Sequence, residues 1–145
     1  MKDLLAIAIS QYGVEEKKGS NHNPIILNYF KEIGSTWVTD DETAWCSCFM
    51  NWCCLKSGYE KTGKLNARSW LKLGKEVEKP ETGDLVVFWR EHPDSWQGHV
   101  AIFIREIGDY IYVLGGNQSD KVCIRPYKKN QVLSYRKLKK IHQEQ

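Results

Sequence analysis

The sequence predicts an α+β fold in which N-terminal helices pack on a C-terminal antiparallel β-sheet. Apolar residues recur at helical spacing in the first half of the chain, and dense apolar runs suited to buried strands occupy the second half. Helices followed by strands, without alternation between them, favour an antiparallel sheet. Because 145 residues is a typical length for one domain, we expect residues 1–145 to form a single domain.

Four helices are predicted before residue 75. Asn23-Pro24 opens the second, because proline has no N–H to lose at the first helical position. Gly58 ends the third helix and Gly74 follows the fourth. The predicted helices cover approximately residues 2–12, 23–34, 44–57 and 66–73, and after a turn at 79–84 the predicted strands cover approximately 85–89, 98–104, 110–114, 122–127 and 131–136.

The charge of the chain is uneven although its formal net value is only +3. The segment 121–140 contains no Asp or Glu, and we interpret it either as a solvated basic face or as a surface that attracts a polyanion. Its basic residues are Lys121, Arg125, Lys128, Lys129, Arg136, Lys137, Lys139 and Lys140. No secretory signal and no apolar run of about 18 residues is visible, so we expect the protein to fold in a cytoplasm.

The five cysteines are predicted to be reduced. Their number is odd, and four of them crowd the segment 46–54, which argues against a disulfide framework. A zinc site is a second interpretation, but a helix splays neighbouring cysteines around its surface while tetrahedral ligands must converge. We expect Cys48, Cys53 and Cys54 to be small buried apolar residues.

Cys46 is the candidate nucleophile, with a structural cysteine as the alternative. Asp41 or Thr43 can cap the third helix and so place Cys46 in its first turn. Free backbone N–H groups and the positive end of the helix dipole favour a thiolate there. The same N–H groups can hold the oxyanion that forms when a thiolate attacks a carbonyl group.

His99 is the candidate base, with a core histidine as the alternative. It lies in an apolar strand directly after Gly98, whereas His22 and His92 lie in polar loops and His142 lies in the tail. An imidazole beside a helix-start cysteine can take the thiol proton and later give it to the leaving amine. The next strand ends near Asn117, whose side-chain carbonyl can accept the ring N–H, although a Gly-Gly-Asn turn would explain the same residues.

Five segments that contain these candidates occur in a fixed order along the chain. They are Trp45-Cys46-Ser47-Cys48-Phe49, Ala67-Arg68-Ser69-Trp70, Pro80-Glu81-Thr82-Gly83-Asp84-Leu85-Val86-Val87-Phe88, Gly98-His99-Val100 and Leu114-Gly115-Gly116-Asn117-Gln118-Ser119. The ordered set resembles the NlpC-type and CHAP-type cysteine peptidases, and most closely a small phage and prophage branch. The chain departs from the usual pattern of these families at two positions: Trp45 stands where an acidic residue is usual, and Cys48 stands where a small residue is usual. Both departures bear on which branch of the family the chain resembles.

The resemblance implies a papain-like fold and a cell-wall hydrolase. It makes Cys46 the nucleophile, His99 the base and Asn117 the third member, with a thioester intermediate and no metal or cofactor. The residues that it assigns to substrate contact are Trp45, Ser69, Trp70 and Gln118, with a core position as the alternative for Trp70. The implied reaction is cleavage of amide bonds in peptidoglycan stem peptides. The alternatives are an N-acetylmuramoyl-L-alanine amidase, a deamidase or transferase on the same fold, and a non-catalytic binding domain.

The implied partner is peptidoglycan, and we expect neither nucleic-acid binding nor membrane insertion. A protein made in the cytoplasm without a signal peptide would act on the wall only after release or export. Release or export would involve a delivery system as a further partner, and an inhibitor or immunity protein is another. For the oligomeric state, our expectation is a monomer.

Overall fold

A computed structural model of the chain describes residues 3–16, 23–35 and 45–141. Its helices are α1 Leu4–Ile9, α2 Pro24–Glu32, α3 Cys46–Ser57 and two 3₁₀ helices, Ala67–Lys72 and Lys129–Gln131. No helix in the described ranges has the length and apolar character needed to cross a membrane.

Local sequence signals explain where the helices begin and end. The side chain of Asp3 accepts a hydrogen bond from the backbone N–H of Ala6 and caps α1. The side chain of Asn23 caps α2, whose first position is proline as predicted. Gly58 ends α3 in the left-handed conformation, with φ of 80°. The fourth predicted helix is present at 67–72, but it is a 3₁₀ helix.

Six strands form one antiparallel sheet in the order β1-β6-β2-β3-β4-β5, which confirms the predicted α+β class. The strands are β1 Lys75–Val77, β2 Leu85–Trp89, β3 Gly98–Ile107, β4 Tyr110–Gln118, β5 Lys121–Lys128 and β6 Val132–Lys137. The short strand β1 was not predicted, because its residues form no apolar run and it exists only through pairing with β6.

The two faces of the sheet bury different sets of side chains. Alternate residues of a strand point to opposite faces. Leu85 and Val87 of β2 therefore join the core beneath the helices, whereas Val86 and Phe88 join a second cluster on the other face. The first core contains α3, so it determines where the start of that helix meets the sheet.

The N-terminal segment extends the sheet beside β5. Val122 donates its backbone N–H to the carbonyl oxygen of Val14 over 2.7 Å, and Glu15 forms an isolated bridge with Lys121. The backbone N–H of Glu16 then reaches the carbonyl oxygen of Asp120. This pairing brings the side chain of Glu16 close to the start of α3, where it has a partner described below.

Candidate active site

Cys46 is the first residue of α3, two residues after the approximate start that the sequence predicts, and it lies in the first turn as predicted. Trp45 is the N-cap residue and its side chain makes no capping bond, while its carbonyl oxygen accepts the first helical hydrogen bond from Phe49 at 2.9 Å. The predicted capping residues Asp41 and Thr43 lie outside the described residues. Because Cys46 is in the first turn, the free N–H groups and the positive end of the helix dipole act on its sulfur.

Two buried tryptophans fix the start of α3 from either side of Cys46. The indole N–H of Trp45 donates to Glu16 Oε1 over 2.6 Å, and that of Trp70 donates to Ser47 Oγ over 2.8 Å. Both tryptophans are completely buried. The predicted substrate contacts of Trp45 and Trp70 therefore need correction, because neither side chain presents a surface to a substrate.

His99, the second residue of β3, contacts Cys46. The His99 imidazole and the backbone N–H of Val100 lie beside the Cys46 sulfur, where they favour its thiolate. Burial raises the pKa of the Cys46 thiol. This effect is outweighed by the charge and hydrogen bonding of His99, by the Val100 N–H and by the positive charge of Arg90, all of which lower the pKa. The pKa is consequently lower than that of an ordinary cysteine, which favours the nucleophilic thiolate.

The hydrogen bond on the other side of the imidazole comes from Gln118. Its Oε1 lies 2.9 Å from His99 Nε2, and its side chain is 1% exposed. The prediction placed Asn117 there and gave Gln118 a substrate contact; the structure brings together Cys46, His99 and Gln118, while Asn117 lines the cleft described below. The register of β4 shifts between Gly115 and Gln118, and this irregularity decides which of the two consecutive amides faces His99.

Tyr127 completes the surroundings of the imidazole, and no pattern near it in the sequence predicts this position. Its ring stacks on the His99 ring with centroids 5.1 Å apart, and on the Phe88 ring at 4.8 Å. Burial, and secondly the negative charge of Cys46, raise the pKa of Tyr127 to about 12. The stack restricts rotation of His99, and a neutral tyrosine adds no charge beside it.

A cleft of about 500 Å³ opens beside this site and has His99 and Tyr127 in its wall. Cys46 is 5% exposed and His99 3% exposed, so the reactive pair lies just beneath the surface. Charged residues of both signs line the cleft, namely Arg90, Glu91 and Asp120. Among the described residues of this lining, Arg90 is the only lysine or arginine.

The cleft wall also concentrates unusual backbone conformations. Every non-glycine residue with positive φ in the described part of the chain lines it. These residues are Glu91 at 67°, Asn117 at 59°, Ser119 at 53° and Asp120 at 64°. Left-handed backbone is unfavourable for side chains other than asparagine and aspartate, and such conformations cluster at functional sites.

Arg68 anchors the loop between β2 and β3, which carries Arg90 and Glu91. Its guanidinium donates to the carbonyl oxygens of Gln97 at 2.8 Å, Pro93 at 2.8 Å and His92 at 3.1 Å. A planar fork of donors suits three separate acceptors better than an ammonium group does. The function of Arg68 within the segment 67–70 is therefore to hold one wall of the cleft.

Ser69 lies away from the cleft. Its hydroxyl group bonds to Thr62 Oγ1 at 3.0 Å and to the carbonyl oxygen of Asn66 at 2.8 Å. It lines a separate depression that contains neither Cys46 nor His99. The predicted substrate contact of Ser69 thus has no counterpart in the geometry of the site.

The other cysteines of α3 are buried, which confirms the prediction for Cys48, Cys53 and Cys54. Burial raises the pKa of each of these thiols. In the described ranges, no group of three His, Cys, Asp or Glu side chains could hold a metal ion. Cys46 is therefore the thiol of this helix whose surroundings favour ionisation.

Replacing Cys48 by alanine should leave hydrolysis within about twofold of the wild type, because Cys48 is completely buried and its thiol stays protonated. The loss of buried volume should lower the free energy of unfolding by about 1 kcal/mol. Assays of wall hydrolysis and denaturant unfolding on the same preparation would check both values. A loss of activity as large as that caused by changing Cys46 would mean that the nucleophile has been assigned wrongly.

The basic residues of segment 121–140 do not form one unpaired face. Lys121, Arg125 and Lys128 lie in β5, whereas Arg136 and Lys137 lie in β6, and three strands separate β5 from β6 in the order of the sheet. Lys129 pairs with Glu106, and Lys137 pairs with Glu81 and Asp84. Arg136 donates to two backbone carbonyl groups. These contacts favour the interpretation as a solvated and partly paired surface.

Comparison with protein families identifies the family of this chain. Residues 38–117, which are more than half of the chain, match the family model of the CHAP domain. This stretch includes Cys46, His99 and Asn117 and ends one residue before Gln118. A search of curated proteins finds no match.

Proposed function

Because this chain belongs to the CHAP domain family, whose members act on peptidoglycan as amidases or peptidases, we propose that it hydrolyses amide bonds in peptidoglycan stem peptides. One observation carries the proposal: a helix-start cysteine with a lowered pKa touches a strand histidine at the wall of a cleft. Nucleophile and base within hydrogen-bond reach are the signature of covalent catalysis by a thiolate.

The reaction would proceed in two steps on the same pair of side chains. His99 takes the proton of Cys46, and the sulfur attacks the carbonyl carbon of the scissile amide. The tetrahedral intermediate collapses as His99 gives this proton to the departing amine, which leaves a thioester on Cys46. His99 then takes a proton from water; the resulting attack on the thioester releases the carboxylic acid and returns the proton to the sulfur.

The negative charge of each tetrahedral intermediate needs donors near Cys46. The first turn of α3 has backbone N–H groups without helical acceptors, and they point along the helix axis toward its start. Removing one such donor in other acyl-transfer enzymes typically slows catalysis about 10²-fold to 10³-fold. The arrangement supplies this stabilisation without a further side chain.

Analysis of products from purified peptidoglycan tests the proposal. Incubation with the wild-type protein should create new amino and carboxyl ends within the stem peptides, detectable by mass spectrometry of the soluble fragments. Release of intact stem peptides from the glycan would instead identify an N-acetylmuramoyl-L-alanine amidase. Peptidoglycan with no new ends after exposure to folded protein would contradict the proposal and favour a binding domain.

A further inference from the structure

The side-chain amide of Gln118 has only one orientation that satisfies its neighbours. One of its terminal atoms lies 2.6 Å from the carbonyl oxygen of Cys123 and 3.3 Å from that of Val113. Carbonyl oxygens only accept hydrogen bonds, so this atom must be the NH₂ group. The other terminal atom, Oε1, therefore faces His99 Nε2 at 2.9 Å.

This orientation determines the protonation state of the imidazole. Because Oε1 of Gln118 can only accept, Nε2 of His99 must carry a hydrogen. In the neutral ring the lone pair is then on Nδ1, which is the nitrogen left for Cys46. The amide thus provides the tautomer that a base needs to take the thiol proton, and it also stabilises the charged imidazolium that forms.

The surroundings of Gln118 hold this amide in place. Its side chain is almost completely buried, and the Cys123 thiol donates a further hydrogen bond to its backbone carbonyl oxygen. Space for the amide comes from Gly115, where an added Cβ would lie 2.8 Å from Gln118 Oε1 and 2.9 Å from the Ala101 Cβ. The glycine at position 115 is thus explained by the side chain of Gln118, which it accommodates.

Asn117 has a different environment. It is partly exposed, has φ of 59° and lines the cleft, and in the described part of the chain it makes no hydrogen bond to His99. We infer that Gln118, rather than Asn117, is the positioning residue that holds His99 in its catalytic tautomer against Cys46. The inference rests on the proposed function, but its geometry does not depend on which bond of the substrate is cut.

Three variants of the full chain test this assignment: Gln118→Met, Gln118→Glu and Asn117→Ala. The first readout is the rate at which iodoacetamide alkylates Cys46 as a function of pH, which needs no substrate. The second is the rate of peptidoglycan hydrolysis. Methionine matches the length of glutamine but lacks its acceptor, glutamate strengthens that acceptor with a charge, and Asn117→Ala is the matched control.

In Gln118→Met, the pH midpoint of alkylation should rise by about one unit, because the imidazolium that stabilises the thiolate loses its partner. Hydrolysis should fall about tenfold to hundredfold. In Gln118→Glu the midpoint should fall below that of the wild type, since a carboxylate favours the imidazolium. Asn117→Ala should leave the midpoint unchanged, whatever it does to the hydrolysis of the substrate.

An unchanged midpoint in folded Gln118→Met, or a shifted midpoint in Asn117→Ala, would overturn the inference. If thermal melting shows that Gln118→Met does not fold, Gln118→Glu decides, and a midpoint that is not lowered refutes the assignment. Failure of the proposed function would look different. The wild type and the variants would then show the expected alkylation profiles, but the wild type would release nothing from peptidoglycan.

Discussion

Replacing Cys46 by alanine is expected to abolish hydrolysis of peptidoglycan and to leave the fold intact. The thiolate forms the covalent bond to substrate, and without it neither His99 nor the helix N–H groups can produce the thioester. We expect a loss of at least about 10³-fold, in line with removal of a nucleophile from other triads. Since Cys46 is buried but small, the free energy of unfolding should change by about 1 kcal/mol.

The measurement is clearing of a cell-wall suspension, run beside circular dichroism and a melting curve for each protein. Cys48→Ala is the matched control, because it removes a thiol from the same helix two positions away. Clearing by Cys46→Ala within tenfold of the wild-type rate would show that another group attacks the substrate. Loss of the melting transition would instead make the sulfur a structural requirement.

The pH dependence of the Cys46 thiol provides a second signature of its function. Its pKa is lowered in the folded protein, so the thiolate is present from a lower pH than in a free cysteine and disappears on acidification through the lowered value. Burial raises the pKa of Cys48, Cys53 and Cys54, so these thiols stay protonated at neutral pH. One cysteine of α3 should therefore react rapidly with iodoacetamide at neutral pH, and peptide mapping should identify it as Cys46.

Replacing Gly116 by alanine should damage both stability and activity. A Cβ at this position would lie 2.8 Å from the Cβ of Phe49 and from Cζ3 of Trp45. Both neighbours belong to the buried start of α3, so the collision can be relieved only by moving the helix or the strand. Overpacking of this kind typically costs about 1 to 3 kcal/mol, and the displacement would act directly on Cys46.

Urea unfolding of Gly116→Ala and its rate of wall hydrolysis would check this expectation. Gly63→Ala is the control, because an added Cβ there meets nothing within 4 Å although φ is 70°. The control should lose about 1 kcal/mol through backbone strain but keep its rate of hydrolysis. Equal rates of hydrolysis in the two variants would mean that Gly116 does not determine the position of the nucleophile.

Periodicity and helix-end chemistry made the fold class and the central pair of the site predictable. The apolar runs of β2 and β3 and the glycine after α3 are local signals, and each produces the predicted element. The nucleophile and the base could be predicted for the same reason. A helix start and a strand histidine can each be recognised from the few residues around them.

The remaining parts of the site depend on contacts between segments far apart in the sequence. Tyr127 reaches His99 from β5, and nothing near it in the chain indicates the ring stack. The position of Gln118 beside His99 depends on the irregular register of β4, which cannot be derived from the alternation of residues along a strand. Trp45 and Trp70 resembled cleft residues in the sequence, but only the fold reveals their hydrogen bonds to Glu16 and Ser47.

The left-handed residues around the cleft have a consequence for attempts to make this enzyme more heat-resistant. Non-glycine residues in that conformation cost of the order of 1 kcal/mol each, and glycine would relieve the cost. Selection for thermostability alone will therefore favour glycine at Glu91 and Ser119, which deletes two side chains from the wall of the cleft. Selection that ignores this conflict would yield thermostable variants with a changed cleft wall. The residues of the cleft wall should therefore be kept constant while the rest of the surface is varied.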